Sequence, residues 1–351
     1  MNIGAYVVRR ALLMVVVLVG TITVTFFLSH LIPSNPALFF AGQNPTPQQI
    51  QQITNEYGLN KPLYDQFYIY LKDIFSGDLG TSFSFQLPVL TLILQGLPNT
   101  FTLAAISTFF ALLLGIPLGV EAARHGGKRV DSLIRVLSVG FVAVPTFWLG
   151  IILQLVFAVY WGILPLGAYG GTLTYLTLNP LKMITGSVLV DSLLSGNWGA
   201  FLAIAQSMIL PVVTLTLFPL GIIIRHTRAS MLATLNQDYV RSARAYGIPE
   251  RQVNYSFAFR NALPPVLVYA GLIFAGSIIG IFYVEDVFNL IPGIGYLLFY
   301  ATGTGISSSG FSGNIDTPLI IGVAIMTTVI YVVSNFVVDM VQIYYDRRII
   351  K

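Results

Sequence analysis

The sequence predicts an all-α polytopic membrane protein of six transmembrane helices with a small external helical segment. Three observations lead there. The 351 residues are 55% apolar and only 9% charged, with a mean hydropathy of +0.79, a balance outside that of soluble domains. Six apolar segments, roughly 10–31, 99–121, 134–162, 207–225, 264–284 and 317–338, can each cross a hydrocarbon layer of about 30 Å, which takes about 20 helical residues. Apart from Arg10, Glu121, Arg135 and Arg225 at segment edges, these six hold no Asp, Glu, Lys or Arg.

At the N-terminus, Arg9 and Arg10 precede an apolar run longer than the core of a signal peptide, with no small-residue cleavage site. Residues 1–32 therefore read as a tail and a retained first span. Residues 33–98 read as an external helical segment. Thr46-Pro47-Gln48-Gln49 has the form of a capping box with proline at the first helical position. Ile50, Ile53 and Tyr57 make a stripe that Gly58 ends, and a second helix opens at Pro62 with Leu63, Phe67, Tyr70, Leu71 and Ile74 on one face. The remaining 99–351 form a five-span core. Its segment 134–162 is long enough to tilt or kink, and Pro145 supplies a cause. Residues 165–206 are rich in glycine, threonine and leucine, with helix expected around 184–196. Residues 285–316 open with Glu285 and Asp286 and end in the glycine- and serine-rich stretch 303–313, expected to be mobile. No internal repeat is visible.

Fifteen of the 18 lysines and arginines fall on one side of the six spans; Lys61, Lys72 and Lys182 fall on the other. The inside-positive bias then puts both termini and the loop 225–263 in the cytoplasm. The net charge of +4 reflects this asymmetry and not affinity for nucleic acid. There is no cysteine, hence no disulfide or thiol chemistry, and His30, His125 and His226 are not at ligand spacing. Gly126-Gly127-Lys128-Arg129 is the nearest approach to a phosphate-binding loop and lacks its spacing. Ion-coupled transporters carry ionisable groups within the membrane, and only His30, at a span end, is a candidate. Gln154, Gln206 and Ser207 offer hydrogen bonds to a cargo or between helices.

The one long polar, basic stretch between two uncharged spans is 236–265. Asn236 can cap a helix whose first turn holds Gln237 and Asp238. Gly247 suits the left-handed position after its last turn, and Pro249 stops that helix and can open another. Arg241, Arg244 and Arg251 face out. The stretch resembles the cytoplasmic coupling loop of ABC-importer permeases, in the form of the dipeptide/oligopeptide/nickel family, which reads D-Y-V-R-x-A-R-A-x-G and then R-N-A-L-x-P. Asp238 through Gly247, and Arg260-Asn261-Ala262-Leu263-Pro264, match it. The wider consensus has Glu where Arg241 stands. Further matches run in order along nearly the whole chain, among them Arg9-Arg10, Leu31-Ile32-Pro33, Gly77 to Ser82, Pro145 with Phe147-Trp148-Leu149-Gly150, Asp191 to Leu194, and Val338-Asp339. Ser34 and Asn35 stand where glycine and aspartate are usual.

The resemblance implies a type I ABC-importer-like permease in the cell membrane, the first (B-type) of two different permease subunits. It implies as partners a second, C-type permease, two ABC ATPases that carry ATP and Mg, an extracytoplasmic solute-binding protein, and membrane lipid. It implies no catalytic residue, metal or cofactor in this chain. Asp238, Tyr239, Arg241, Ala243, Arg244 and Gly247 would form the face that docks on the ATPases. The acidic Glu56, Asp65, Asp73 and Asp78 beside the two external helices are candidates for contact with the binding protein. Peptides are the expected cargo, with oligosaccharides or nickel chelates as alternatives. An ion-coupled transporter or a membrane-embedded enzyme fits the residues less well.

Overall fold

An apolar chain in lipid must satisfy its backbone donors and acceptors within each segment, so helix dominates. The computed structural model describes residues 3–31, 37, 45–56, 58–167, 181–290, 293–302, 306–307, 310–311 and 315–345. In chain order the helices are α1 (Ile3–Leu31), α2 (Pro47–Glu56), α3 (Leu63–Phe75), α4 (Val89–Arg124), α5 (Arg129–Ala143) and α6 (Thr146–Gln154, extended by a π-helical turn Leu155–Tyr160). There follow α7 (Val188–Leu194), α8 (Trp198–Leu235) and α9 (Asp238–Ala245). Then come α10 (Glu250–Gln252, a π-helical stretch Val253–Phe259, and Arg260–Val287), α11 (Ile294–Ala301) and α12 (Thr317–Tyr345). Among the described residues five helices are long and apolar enough to cross a membrane, or six when α5 and α6 are counted as one bent span. The chain divides into two compact units, Met1–Thr100 with Leu290–Val333, and Phe101–Asn289 with Ser334–Lys351.

In the first unit the predicted capping box is present. The Thr46 N–H donates to Gln49 Oε1 at 2.9 Å, and the Gln49 N–H donates to Thr46 Oγ1 at 3.3 Å. Gly58 takes φ +60°, and Tyr57 lies outside the described residues. The predicted face of α3 is the one that packs: Phe67 and Tyr70 lie 5.2 and 5.6 Å from the ring of Phe26 on α1. The second span's helix begins at Val89, ten residues before the expected 99. Pro98 does not end it, because a proline inside a membrane helix removes only one donor and neighbouring groups re-satisfy the backbone. Gly322 on α12 admits this helix closely; a Cβ there would stand 2.3 Å from Val89 Cγ1. Asp316 accepts from Ser82 Oγ and from the N–H groups of Ser84 and Leu319, at 2.9 and 3.2 Å for the latter two. The stretch 303–313, expected to be mobile, contains a short antiparallel pair, β1 (Ile306–Ser307) with β2 (Gly310–Phe311); the rest of it lies outside the described residues. Helix α11 was not expected, since eight apolar residues are too few to cross a membrane.

In the second unit α8 is central. It meets α4 where Gly115 and Gly119 leave no room for a side chain: a Cβ would stand 2.8 Å from Ile223 Cγ2 and 2.5 Å from Thr227 Cβ. Small residues four apart let helices approach in this way. Gly221 on α8 serves the same purpose against α5; a Cβ there would stand 2.5 Å from the Ser138 carbonyl oxygen. Span hydroxyls bond mostly to their own helix, as Ser207 does to the Ile204 carbonyl (2.8 Å) and Thr214 to that of Leu210 (2.8 Å). Glu285 and Asp286 do not open a loop; they lie in the last turns of α10. The third span is not merely kinked. Its two helices, α5 and α6, are bent by 95° at Val144-Pro145, both residues extended. Pro145 has no N–H to return to the Phe141 carbonyl, so the helix stops there. Outside the spans, α7 falls within the predicted 184–196, and its Asp191 carboxylate accepts from the N–H groups of Ile184, Thr185 and Gly186 (3.1, 2.8 and 3.0 Å) and from the Thr185 hydroxyl (2.7 Å). Burial pushes the pKa of this acid up, but the four hydrogen bonds outweigh it and hold the pKa below the usual carboxylate range.

Candidate functional site

The basic stretch is a helical hairpin between two spans. Helix α8 runs on to Leu235, so Asn236 ends that helix instead of capping the next. Its side-chain amide donates to the Leu232 carbonyl (3.0 Å), and Gln237 is the residue before α9. After α9 the Gly247 N–H donates to the Arg244 carbonyl (2.9 Å) and the Ile248 N–H to that of Ala243 (3.2 Å), with Gly247 at φ +75°. This is a Schellman cap, the left-handed turn that glycine accepts without strain. Pro249 then precedes α10.

An apolar cluster stiffens the hairpin. Val240, Ala243 and Val253 are buried together, with Leu235, Ile248 and Phe257 packed against them. Ala243 is 4% exposed, so it belongs to the inside of the hairpin and not to the docking face expected of it. Its small side chain lets α9 lie close to α10. Tyr239 ties the same helices: its hydroxyl accepts from the Asn261 amide at 2.9 Å. The outward face carries Asp238 and Arg241, with side chains 99% and 68% exposed, and Arg244, whose Nε lies 2.9 Å from Glu250 Oε1 across the turn. Beside them stands Tyr246, 86% exposed, which residue-by-residue reading passed over. Its signal was its place directly before Gly247, a large aromatic at a position the motif leaves open. Behind the turn an open cleft of about 680 Å³ is lined by Arg124, Arg251 and Tyr255, among others.

Two further features were not foreseen. Asp131, at the start of α5, is 0% exposed. Its two carboxylate oxygens accept from Arg228 Nε at 2.6 Å and Nη2 at 2.9 Å, and the Gly127 N–H donates to it at 2.9 Å. Arg135 adds a contact at 3.4 Å. A forked, charge-assisted pair of this kind is among the strongest polar contacts a protein makes. The second feature is a cleft of about 620 Å³ at the break of the third span, lined by Val144, Pro145 and Thr146 and, from α10, by Gly276, Ser277 and Gly280. A Cβ on either glycine would meet nothing within 4 Å. No charged side chain lines this cleft. Of the four external acids, Asp78 is exposed and Asp65 and Asp73 are half-buried; the Glu56 side chain lies outside the described residues. Asp78 accepts from the Gly80 N–H at 2.9 Å, closing its own turn. Among the described residues no group of three acids or histidines could hold a metal ion.

The family described as "Binding-protein-dependent transport system inner membrane component" matches residues 115–351, and its N-terminal companion matches residues 3–104. The chain belongs to this family. It is 37% identical to the probable D,D-dipeptide transport system permease protein DdpB of Escherichia coli (strain K12), over 96% of this chain and 94% of that one. It is 34% identical to the dipeptide transport system permease protein DppB of Alkalihalophilus pseudofirmus, over 98% and 99%. With the oligopeptide transport system permease protein AppB of Bacillus subtilis (strain 168) it shares 32% identity over 99% of each. As an inner membrane component of a binding-protein-dependent transport system, this chain is a multi-pass transport subunit, and the helical hairpin and the span-break cleft are features of such a subunit.

Proposed function

We propose that this chain is the first of two different permease subunits of an ATP-driven importer of peptides, forming half of the path for cargo delivered by a solute-binding protein. The observation that carries this reading is the stiff, basic hairpin around α9 between two long apolar helices. A rigid charged knob of this kind passes force only to something that docks on it. In this reading Asp238, Arg241, Arg244 and Tyr246 contact two ABC ATPases, which hold ATP and Mg and do the hydrolysis, while Tyr239, Ala243 and Gly247 keep the knob in shape. ATP draws the ATPases together, the hairpin moves with them, and the spans alternate between outward and inward openings. The driving force is the different affinity of ATP for the two arrangements. Both termini face the cytoplasm. Asp65, Asp73 and Asp78, with Glu56, face the binding protein on the other side.

The cleft at the broken third span is the proposed cargo surface. Non-helical backbone at membrane depth is tolerated where it is buried in protein or lines a watered cavity. An uncharged lining with the Ser277 and Thr146 hydroxyls suits the amides that all peptides share. The names of the relatives favour peptides over oligosaccharides or nickel chelates. The test is uptake of labelled di- and oligopeptides into vesicles holding this chain alone, or with a C-type permease, both ATPases and binding protein. Uptake is expected only with the full set and ATP. Uptake by this chain alone on a proton or sodium gradient would replace the importer by an ion-coupled carrier.

A further inference from the structure

The buried pair Asp131–Arg228 lies where two structural features meet. Arg228 stands on the last turns of α8, two turns before Leu235 and the hairpin. Asp131 stands at the first turn of α5, and the other end of α5, about 20 Å away by helix rise, is the break that lines the 620 Å³ cleft. The contact is forked and its acid is buried: both carboxylate oxygens are taken by one guanidinium, and the carboxylate also closes the turn at Gly127. On its other side the same stretch of α8 is joined to α10 by Ser230, whose hydroxyl donates to the Ala262 carbonyl at 2.8 Å. Around Met231 it is packed against Val120 and Ala123 of α4. The sequence offers no second acid along α5 to replace Asp131.

We infer that Asp131 and Arg228 are positioning residues for transport: their clamp makes α5 move as one body with the coupling hairpin, so that ATP-driven movement of α9 repositions the span break at the cargo cleft. The inference rests on the importer reading above. A pair that merely held the fold could sit anywhere along α5. This one grips the end nearest the hairpin and leaves the cleft end without such a clamp. Arg228→Lys keeps the charge and loses the fork, so it weakens the grip without removing it. Asp131→Asn keeps the shape and loses the charge.

The cysteine-free chain allows a direct measurement in the full complex. Spin labels at Leu133→Cys on α5 and Ser242→Cys on α9, both exposed, report the distance between the two elements without and with ATP. In the otherwise native chain the distance is expected to be narrow and unchanged by ATP. With Asp131→Asn added it should broaden and shift with ATP. In vesicles Asp131→Asn should keep basal ATP hydrolysis and lose peptide uptake by about tenfold or more, raising the ATP spent per peptide; Arg228→Lys should fall between. A native-chain distance that changes with ATP, or full uptake by Asp131→Asn, overturns the inference while the importer reading stands. Absence of ATP-driven uptake by the native complex overturns that reading instead. Should Asp131→Asn fail to assemble, the native-chain distance still decides.

Discussion

Gly247 adopts φ +75°, and a Cβ placed there would meet nothing within 4 Å. Any cost of substitution is therefore conformational and not steric. For an ordinary residue the left-handed region costs about 1–2 kcal/mol, and for a β-branched one it is a true outlier. Gly247→Ala is expected to lower coupled transport modestly. Gly247→Val should abolish most of it while the spans still insert, read as peptide uptake and membrane content of the same cells. Equal uptake by the two variants would show that the turn does not set the hairpin's shape. Ala243 teaches a related lesson. Val240 three residues earlier marks the inward side of α9, so a helical wheel places Ala243 inside; assigning it to the docking face followed the motif in preference to the wheel.

At the level of elements, the break between α5 and α6 decides most. Pro145 was a visible cause of a bend, but 95° was not legible. A proline removes one hydrogen bond locally; how far the chain then turns is set by the helices packed around it, here α8 and α10. The Asp131–Arg228 pair was illegible for a related reason, since its partners stand 97 positions apart and one sequence does not reveal distant pairs. The capping box of α2, the face of α3 and the Gly247 turn were legible because each is decided within a few residues. The cleft at the break offers a test at this scale. Leucine at Gly276 or Gly280 would project into open space, and in a helix it is favoured over glycine by nearly 1 kcal/mol. Stability should therefore hold while peptide uptake falls, more for bulky peptides than for small ones. Loss of co-purification with the second permease would show instead that this face is a contact between subunits.

At the scale of the whole molecule, the polytopic helical architecture, five spans or six with α5 and α6 counted as one, was readable because hydrophobic length is a property of composition, and lipid leaves helix as the only open solution for such segments. Orientation is a further step that rests on charge placement. With no native cysteine, a single one introduced at Ser76, in the turn after α3, is expected to react with an impermeant thiol reagent in intact cells, and one at Ser242 on α9 only after lysis. The reverse pattern would invert the topology and remove the hairpin from the reach of cytoplasmic ATPases. Helix α8, at 38 residues, is about 57 Å long, against a hydrocarbon layer of about 30 Å. It therefore works as a lever whose ends stand well clear of the lipid. A tilt of about 10° about its midpoint carries each end through about 5 Å, close to the pitch of one helical turn, so a small rotation of this helix becomes a full step of the surface that a partner holds.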